Sequence, residues 1–181
     1  MKTALEFDQV VKNYGSRRAL DHLSFSIPAG SICGLIGSNG AGKTTALSLA
    51  AGILGCDSGR INVLEQGPFQ PGKGAGKLSL LPQDSQFPPE ATVHELLRLY
   101  ALLQGVPPPE VETAVRHAIR NVHLEDRFDS PTRTLSHGMR RRVMIAQAFL
   151  GQPELVLLDE PLNGLDPREA ASTRNLFASW R

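Results

Sequence analysis

The pattern of apolar and polar positions predicts that the chain begins with β-strands. Apolar and polar residues mix along 4–11 as in a partly buried strand, and they alternate along 23–27. An apolar run over 31–36 predicts a further strand that leads into a glycine-rich loop. Helix-forming residues over 43–51 end before a glycine, and 60–64 favours another strand.

The middle of the chain is predicted to be helical. Thr92 and Glu95 have the spacing of a capping box, and a third helix begins near Ser136. The run over 155–158 is fully apolar and predicts a buried strand, and Asp166 precedes a last helix. Two helical stripes are expected to pack in the core, namely Val93, Leu96, Leu97 and Tyr100, and then Val111, Ala114, Val115, Ala118 and Val122.

Candidate chemistry lies first in the loop 37–44, which has the pattern G-x-x-x-x-G-K-T. Glycines let the main chain curl around phosphate oxygens, and the following helix adds the partial positive charge of its N-terminus. Lys43 supplies a mobile positive charge, and the Thr44 hydroxyl suits Mg²⁺. The pattern predicts a site for a nucleotide triphosphate, built from Gly37, Ser38, Asn39, Gly40, Ala41, Gly42, Lys43 and Thr44.

Two carboxylates at the end of the apolar run 155–158 form the second candidate site. Asp159 is placed to hold Mg²⁺ through water, and Glu160 to position or deprotonate an attacking water. An apolar strand ending in two acids is a weak signal alone. Beside a phosphate loop, it completes a Mg-nucleotide site.

Charge and composition exclude several classes of function. The net charge is +1, so the chain has no overall field that would gather nucleic acid or anionic membrane. We interpret the runs Arg17–Arg18 and Arg140–Arg142 as solvated, and expect no nucleic-acid partner. Cys33 and Cys56 are expected to be reduced thiols in or near the core, which fits a cytosolic compartment. No apolar run approaches the ~20 residues of a membrane-spanning helix, so a membrane role would need a partner.

Five motifs occur in a fixed order: GSNGAGKTT at 37–45, LPQ at 81–83, LSHGM at 135–139, LVLLDEP at 155–161 and GLD at 164–166. Their order and spacing resemble the ATP-binding cassette of ABC transporters over nearly the whole chain. They correspond to that family's phosphate loop, Q-loop, signature, Walker B strand and D-loop.

The resemblance implies roles for the residues that bind the nucleotide. Tyr14 would stack on adenine, and Lys43, Thr44 and Thr45 would bind the phosphates and Mg²⁺. Gln83 would sense the γ-phosphate and the metal. The implied ligands or sensors of Mg²⁺ are Thr44, Gln83 and Asp159, and the implied catalytic residues are Lys43, Gln83 and Glu160, with Glu160 as the general base.

The signature implies a second cassette, identical or not, in a head-to-tail dimer. Ser136 and Gly138 would contact the ATP held by the partner cassette, and Ser136 is also expected to cap its own helix. The motif departs from the usual LSGGQ, because His137 replaces a glycine and Met139 a glutamine. We assign His137 no catalytic role. The chain also ends before the family's γ-phosphate-contacting histidine. This implies either a cassette shortened at its C-terminus or one whose missing parts another chain supplies, and it leaves hydrolysis open.

The expected fold is an α/β P-loop NTPase with a mixed or parallel sheet core, an N-terminal antiparallel β segment and a helical insertion. We expect one domain over 1–181, with an ATP-binding core of 1–83 and 151–181 and a helical subdomain of 84–150.

The expected function is that of the ATP-binding subunit of a membrane transporter, peripheral at the cytoplasmic face of the membrane and docked on a transmembrane permease subunit. The overall pattern leans towards bacterial exporters. A soluble ABC protein, a non-hydrolysing ATP-binding module and a small-molecule kinase remain alternatives; the kinase leaves LSHGM unexplained.

Overall fold

An antiparallel sheet is built from the first strands of the chain. Strands β1 (Thr3–Tyr14) and β2 (Arg17–Pro28) form a hairpin, and β3 (Ser58–Val63) pairs with the other edge of β1. The strand order is therefore β2-β1-β3. On the inner face the ring of Phe7 stacks on that of Phe25, with centroids 4.7 Å apart. The predicted N-terminal antiparallel segment is confirmed.

Helix α1 (Lys43–Ala50) follows the glycine-rich loop, as predicted. Its buried side, formed by Ala46, Leu49 and Ala50, contributes to the apolar core of this part of the chain.

The predicted strand over 31–36 is wrong, because these residues form no regular element in the structure. Their side chains are exposed, and Ile36 has 95% of its surface accessible. β-Branched and apolar residues favour a strand only where a neighbouring strand satisfies the main-chain groups, and no pairing involves this segment within residues 2–179. Cys33 lies here and is exposed, which corrects the expectation of a core thiol, while Cys56 is half-buried.

A second sheet has two parallel strands, β4 (Leu78–Leu81) and β5 (Leu155–Leu158), joined by a long helical crossover. The sequence pattern predicted β5 and missed β4, which has only four residues. The register pairs Leu81 with Leu158, so the carboxyl ends of the two strands are adjacent.

Three helices lie between these strands: α2 (Val93–Leu103), α3 (Val111–Asn121) and α4 (His137–Ala148). Both halves of the predicted capping box of α2 are present. The two predicted stripes pack in one apolar core with α4. Its most buried members are Val93, Leu97, Ala101, Val115, Ile119, Val122, Leu124, Val143, Ala146 and Leu150. Helix α5 (Pro167–Ser179) begins after Asp166, whose carboxylate accepts the Glu169 main-chain N–H at 2.9 Å.

The structure is a computed structural model that describes residues 2–179, so Met1, Trp180 and Arg181 of the predicted domain lie outside the described residues. The chain divides into two compact units, one ending at Gly74 and one beginning at Ala75. The predicted boundaries of the helical subdomain stay a prediction. Within 2–179, no helix has the length and apolarity needed to cross a membrane.

Candidate nucleotide-binding site

The predicted nucleotide-binding residues fall into two groups, one in each compact unit. The first group is the phosphate loop, residues 37–44, and it is stabilised by its own lysine. Lys43 Nζ donates hydrogen bonds to the carbonyls of Gly37 at 2.9 Å and Ser38 at 3.1 Å. The Ala41 N–H also donates to the Ser38 carbonyl, at 3.1 Å. The lysine side chain therefore folds back over a closed turn, at the start of α1.

Two positions in this loop require glycine. Gly40 and Gly42 have φ of 80° and 90°, in the left-handed region that disfavours residues with a Cβ. A Cβ on Gly42 would lie 2.5 Å from the carbonyl oxygen of Ala19 in β2. The loop thus packs directly against the strand, and only glycine allows that approach.

Arg17 is a neighbour of the loop that the sequence interpretation missed. Its Nη2 donates to the Gly40 carbonyl at 3.2 Å, so an arginine taken as merely solvated contacts the phosphate loop. The pattern gave no signal for this contact, because it depends on the β1–β2 hairpin.

Tyr14 ends β1 and has 48% of its surface exposed, so its ring is available for stacking. The ammonium of Lys12 lies 5.9 Å from the ring centroid and forms an ion pair with Asp57 at 3.1 Å. Asp57 Oδ2 also accepts the Asn13 main-chain N–H at 2.6 Å. This Asn13 bond, followed by the bond from Lys12, lowers the pKa of Asp57 below its usual value.

The second group lies at the carboxyl ends of β4 and β5. Gln83 follows β4 and is exposed, whereas Asp159 follows β5 and is 3% exposed. The Asp159 N–H donates to the Leu81 carbonyl at 2.9 Å and continues the ladder past the ends of both strands. The structure therefore brings Gln83, Asp159 and Glu160 to the same edge of one sheet.

Glu160 has an unusual main-chain conformation, with a φ of 46° in the left-handed region. Asn163 contacts it twice: its Nδ2 donates to Glu160 Oε2 at 3.2 Å, and its main-chain N–H donates to the Glu160 carbonyl at 3.0 Å. The sequence interpretation did not identify Asn163, which orients the predicted base.

Ser136 caps α4, as predicted: its Oγ accepts the Met139 N–H at 3.2 Å. Gly138 is buried, and a Cβ there would collide with the carboxylate of Glu169. The ring of His137 packs against Gly164 of the predicted D-loop, 2.6 Å from where a Cβ would stand. The signature and the D-loop of the same chain are therefore in contact.

The interpretation of Arg140–Arg142 as a solvated run is wrong, because Arg141 is only 5% exposed. Its guanidinium donates to main-chain carbonyls of both loops at the sheet edge. The acceptors are Gln83 in the loop after β4 and Asp159, Glu160 and Pro161 after β5. The signal was available in the sequence. Arg141 shares the helical spacing of Gly138, Ile145 and Ala148, all buried on one side of α4.

The sequence of this chain is similar to those of known proteins. Residues 20–163 match the family described as "ABC transporter". The chain is 35% identical over 168 residues to the Nod factor export ATP-binding protein I of Paraburkholderia xenovorans, and 38% identical over 165 residues to that of Sinorhizobium fredii. These alignments cover 92% and 91% of this chain but 55% and 48% of the relatives, so the chain spans about half the length of the curated relatives it matches.

Solved structures agree in fold. The structure of cbiO1 from Clostridium perfringens, described as part of the ABC transporter complex cbiONQ, has a TM-score of 0.86 at 28% identity; the match covers 99% of this chain and 74% of that one. A nucleotide-free ATP-binding cassette from an ABC transporter has a TM-score of 0.84 at 26% identity, covering 98% and 76%. These likenesses confirm the predicted α/β fold class.

Proposed function

The chain belongs to the ABC transporter family, and from that membership we propose that it binds Mg-ATP and couples ATP hydrolysis to transport by a separate transmembrane subunit. The observation that carries the proposal is the phosphate loop, in which Lys43 and the N-terminus of α1 converge on one closed turn. This is the chemistry that a triphosphate requires: main-chain N–H groups, a helix N-terminus and a mobile cation.

ATP binding exchanges hydrogen bonds at Lys43. Its ammonium leaves the carbonyls of Gly37 and Ser38 and donates to phosphate oxygens, which are stronger acceptors because they are charged. Thr44 and Thr45 add hydroxyls from the first turn of α1. The half-exposed ring of Tyr14 stacks on adenine, a contact worth roughly 1–3 kcal/mol by analogy with base stacking.

The oxygen donors of the two groups suit Mg²⁺. Thr44 offers a hydroxyl, Gln83 an amide oxygen and Asp159 a carboxylate, and magnesium prefers such hard ligands together with water and phosphate. When bound, the ion neutralises charge on the phosphates. Asp159 is held rigidly for this task, because its main chain continues the β4–β5 ladder.

Hydrolysis is assigned to the same sheet edge. Glu160 accepts a proton from the attacking water, and Asn163 fixes the direction of its carboxylate. Gln83, on the neighbouring loop, orients the water and the γ-phosphate. The side-chain contacts of Glu160 with Asn163 support this assignment.

The partners follow from α4 and α2. Ser136, at the capped N-terminus of α4, is exposed and contacts the ATP of a second cassette, which is a second copy or a related chain, whereas Gly138 is buried against Glu169. Leu99, Leu102 and Leu103 of α2 are exposed large apolar residues, and we assign this face to the transmembrane subunit at the cytoplasmic side of the membrane.

Two substitutions test the proposal in parallel. Lys43→Ala removes the cation, so Mg-ATP affinity should fall by roughly 100-fold. Glu160→Gln keeps the shape of the site and removes the base, so it should bind ATP normally and lose turnover by about 100-fold or more. Equilibrium binding of a fluorescent ATP analogue and a phosphate-release assay measure the two effects.

The outcomes separate the alternatives. Unchanged nucleotide affinity in Lys43→Ala refutes the phosphate-loop assignment. Normal binding with no phosphate release from the wild-type chain favours a non-hydrolysing ATP-binding module. Copurification with ribosomes or DNA, in place of a membrane protein, favours a soluble ABC protein.

A further inference from the structure

Arg141 is an unusual residue for the interior of a domain. It lies on the buried side of α4 between Gly138 and Ile145, with 5% of its surface exposed. Burial lowers the pKa of Arg141, and the nearby carboxylates of Asp159, Asp84 and Glu160 offset only part of that shift. Arginine stays protonated under such shifts, so this part of the molecule holds a buried cation.

The guanidinium donates to four main-chain carbonyls, and its Nη1 also donates to the Met144 sulfur at 4.0 Å. Nε donates to Pro161 at 2.9 Å, Nη1 to Gln83 at 3.3 Å, and Nη2 to Asp159 at 3.2 Å and also to Glu160. These carbonyls belong to two loops, one after β4 and one after β5. The planar fork of donors reaches both, which a lysine ammonium could not do.

One of these bonds falls on a strained peptide. Glu160 has a φ of 46°, which residues with a Cβ rarely adopt, and its carbonyl accepts both Arg141 Nη2 and the Asn163 N–H. Two donors therefore fix the orientation of that peptide unit. Since the side chain leaves from the same Cα, they also set the direction of the Glu160 Cα–Cβ bond, and the hydrogen bond from Asn163 Nδ2 then holds the carboxylate.

We propose that Arg141 is a positioning residue for hydrolysis, which holds Glu160 and Gln83 in their reactive arrangement and ties both to the helix that carries the signature motif. This inference rests on the roles of Glu160 and Gln83 in the proposed function. The donors of Arg141 are engaged by main-chain carbonyls of the two loops, so it acts through the main chain of the proposed catalytic residues. Its loss should therefore reduce the rate of the chemical step and leave ATP binding at the phosphate loop largely intact.

The test compares Arg141→Met and Arg141→Lys with Arg142→Lys, measured on the full chain. Arg142 is a matched control on the same helix, because its Nη1 donates to the Val122 carbonyl, away from the sheet edge. We expect Arg141→Met to lower kcat by about 10- to 100-fold, as for residues that orient catalytic groups, with the Kd for Mg-ATP within about 3-fold of wild type. Arg141→Lys keeps the charge and some of the bonds, so it should recover part of kcat, and Arg142→Lys should leave kcat unchanged.

Several results would overturn the proposal. They are a normal kcat in both Arg141 variants, an equal loss in Arg142→Lys, or a fall in ATP affinity that accounts for the whole loss of activity. Thermal melts identify a variant that fails to fold, in which case Arg141→Lys and Arg141→Gln carry the comparison.

The variant Glu160→Gln, measured alongside, distinguishes a failure of the positioning role of Arg141 from a failure of the assignment of Glu160 as the base. If Glu160→Gln is inactive and the Arg141 variants are normal, the positioning role alone is wrong. If Glu160→Gln turns over normally, the assignment of the base is wrong and the positioning role is lost with it. In the double variant Glu160→Gln with Arg141→Met, the loss of kcat should be smaller than the product of the two single losses, because Arg141 acts in part through the Glu160 carboxylate.

Discussion

Two regions of the candidate site differ in the hydrogen bonds that hold their loops: the phosphate loop, and the loops that follow β4 and β5. The difference is the separation in sequence between the donor side chain and the carbonyls it binds. Lys43 binds carbonyls six and five positions away, Gly37 and Ser38, at the exposed surface of its unit. Arg141 binds carbonyls that are between 18 and 58 positions away, and it is buried. The lysine contacts of the first group are thus local, and the Arg141 contacts of the second group are long-range.

This difference explains which parts could be found from the sequence. A loop stabilised mainly by its own neighbours leaves most of its requirements in one short stretch, so its glycines, lysine and threonine form a recognisable motif, whereas the contact from Arg17 left no signal there. A loop stabilised through a distant helix leaves its requirement elsewhere, here within a run of three arginines.

The largest expected difference between the two regions is the contribution to stability of the apolar residue that lies shortly before each loop. Leu81 ends β4 and is 1% exposed, whereas Ile36 precedes the phosphate loop and is 95% exposed. Leu81→Ala should lower the free energy of unfolding by about 2–5 kcal/mol, because it leaves a cavity. Ile36→Ala should change it by less than about 0.5 kcal/mol. Urea unfolding followed by circular dichroism measures both.

The two variants are controls for each other, since both truncate a large apolar side chain near a predicted nucleotide loop. An equal loss of stability would mean that the segment 31–36 is packed in solution, and the contrast between the two loops would then be wrong.

A smaller effect is expected at Gly42. A Cβ at this position would clash with the Ala19 carbonyl, and the left-handed φ of Gly42 disfavours alanine. Gly42→Ala should therefore destabilise the native loop conformation by roughly 2 kcal/mol and lower Mg-ATP affinity about 30-fold. Gly15→Ala is the matched control. Its φ of 57° is also left-handed, but the space around it is open. Equal losses of affinity in the two variants would show that contact with β2 plays no part.

The smallest effect concerns pH and the support beneath Tyr14. The pKa of Asp57 is lowered in the folded protein, mainly by the Asn13 N–H and then by Lys12. Its carboxylate therefore stabilises the fold above the usual value of 3.8, and this contribution is lost as pH falls through the lower folded pKa. The difference in melting temperature between wild type and Asp57→Asn should be greatest above pH 4 and shrink towards pH 2. A difference that grows with acidity would contradict the assignment.

Much of the fold was predictable for the same physical reason as the phosphate loop. The capping box of α2 and the stripe of α3 are local patterns, and both are confirmed. The strand over 31–36 and the missed β4 are failures of another kind, because four to six apolar residues become a strand only if a partner lies beside them. Arg141 was missed because sequence interpretation treated charge as a surface property, although its spacing placed it among buried neighbours.

The hydrogen bonds of Lys43 also determine when the entropy of its side chain is lost. A free lysine has about 2 kcal/mol of rotamer entropy. Here folding already confines the Lys43 side chain, through hydrogen bonds to the carbonyls of Gly37 and Ser38. An arriving triphosphate therefore meets an ordered cation, and replacing two neutral oxygen partners by charged ones demands little further ordering.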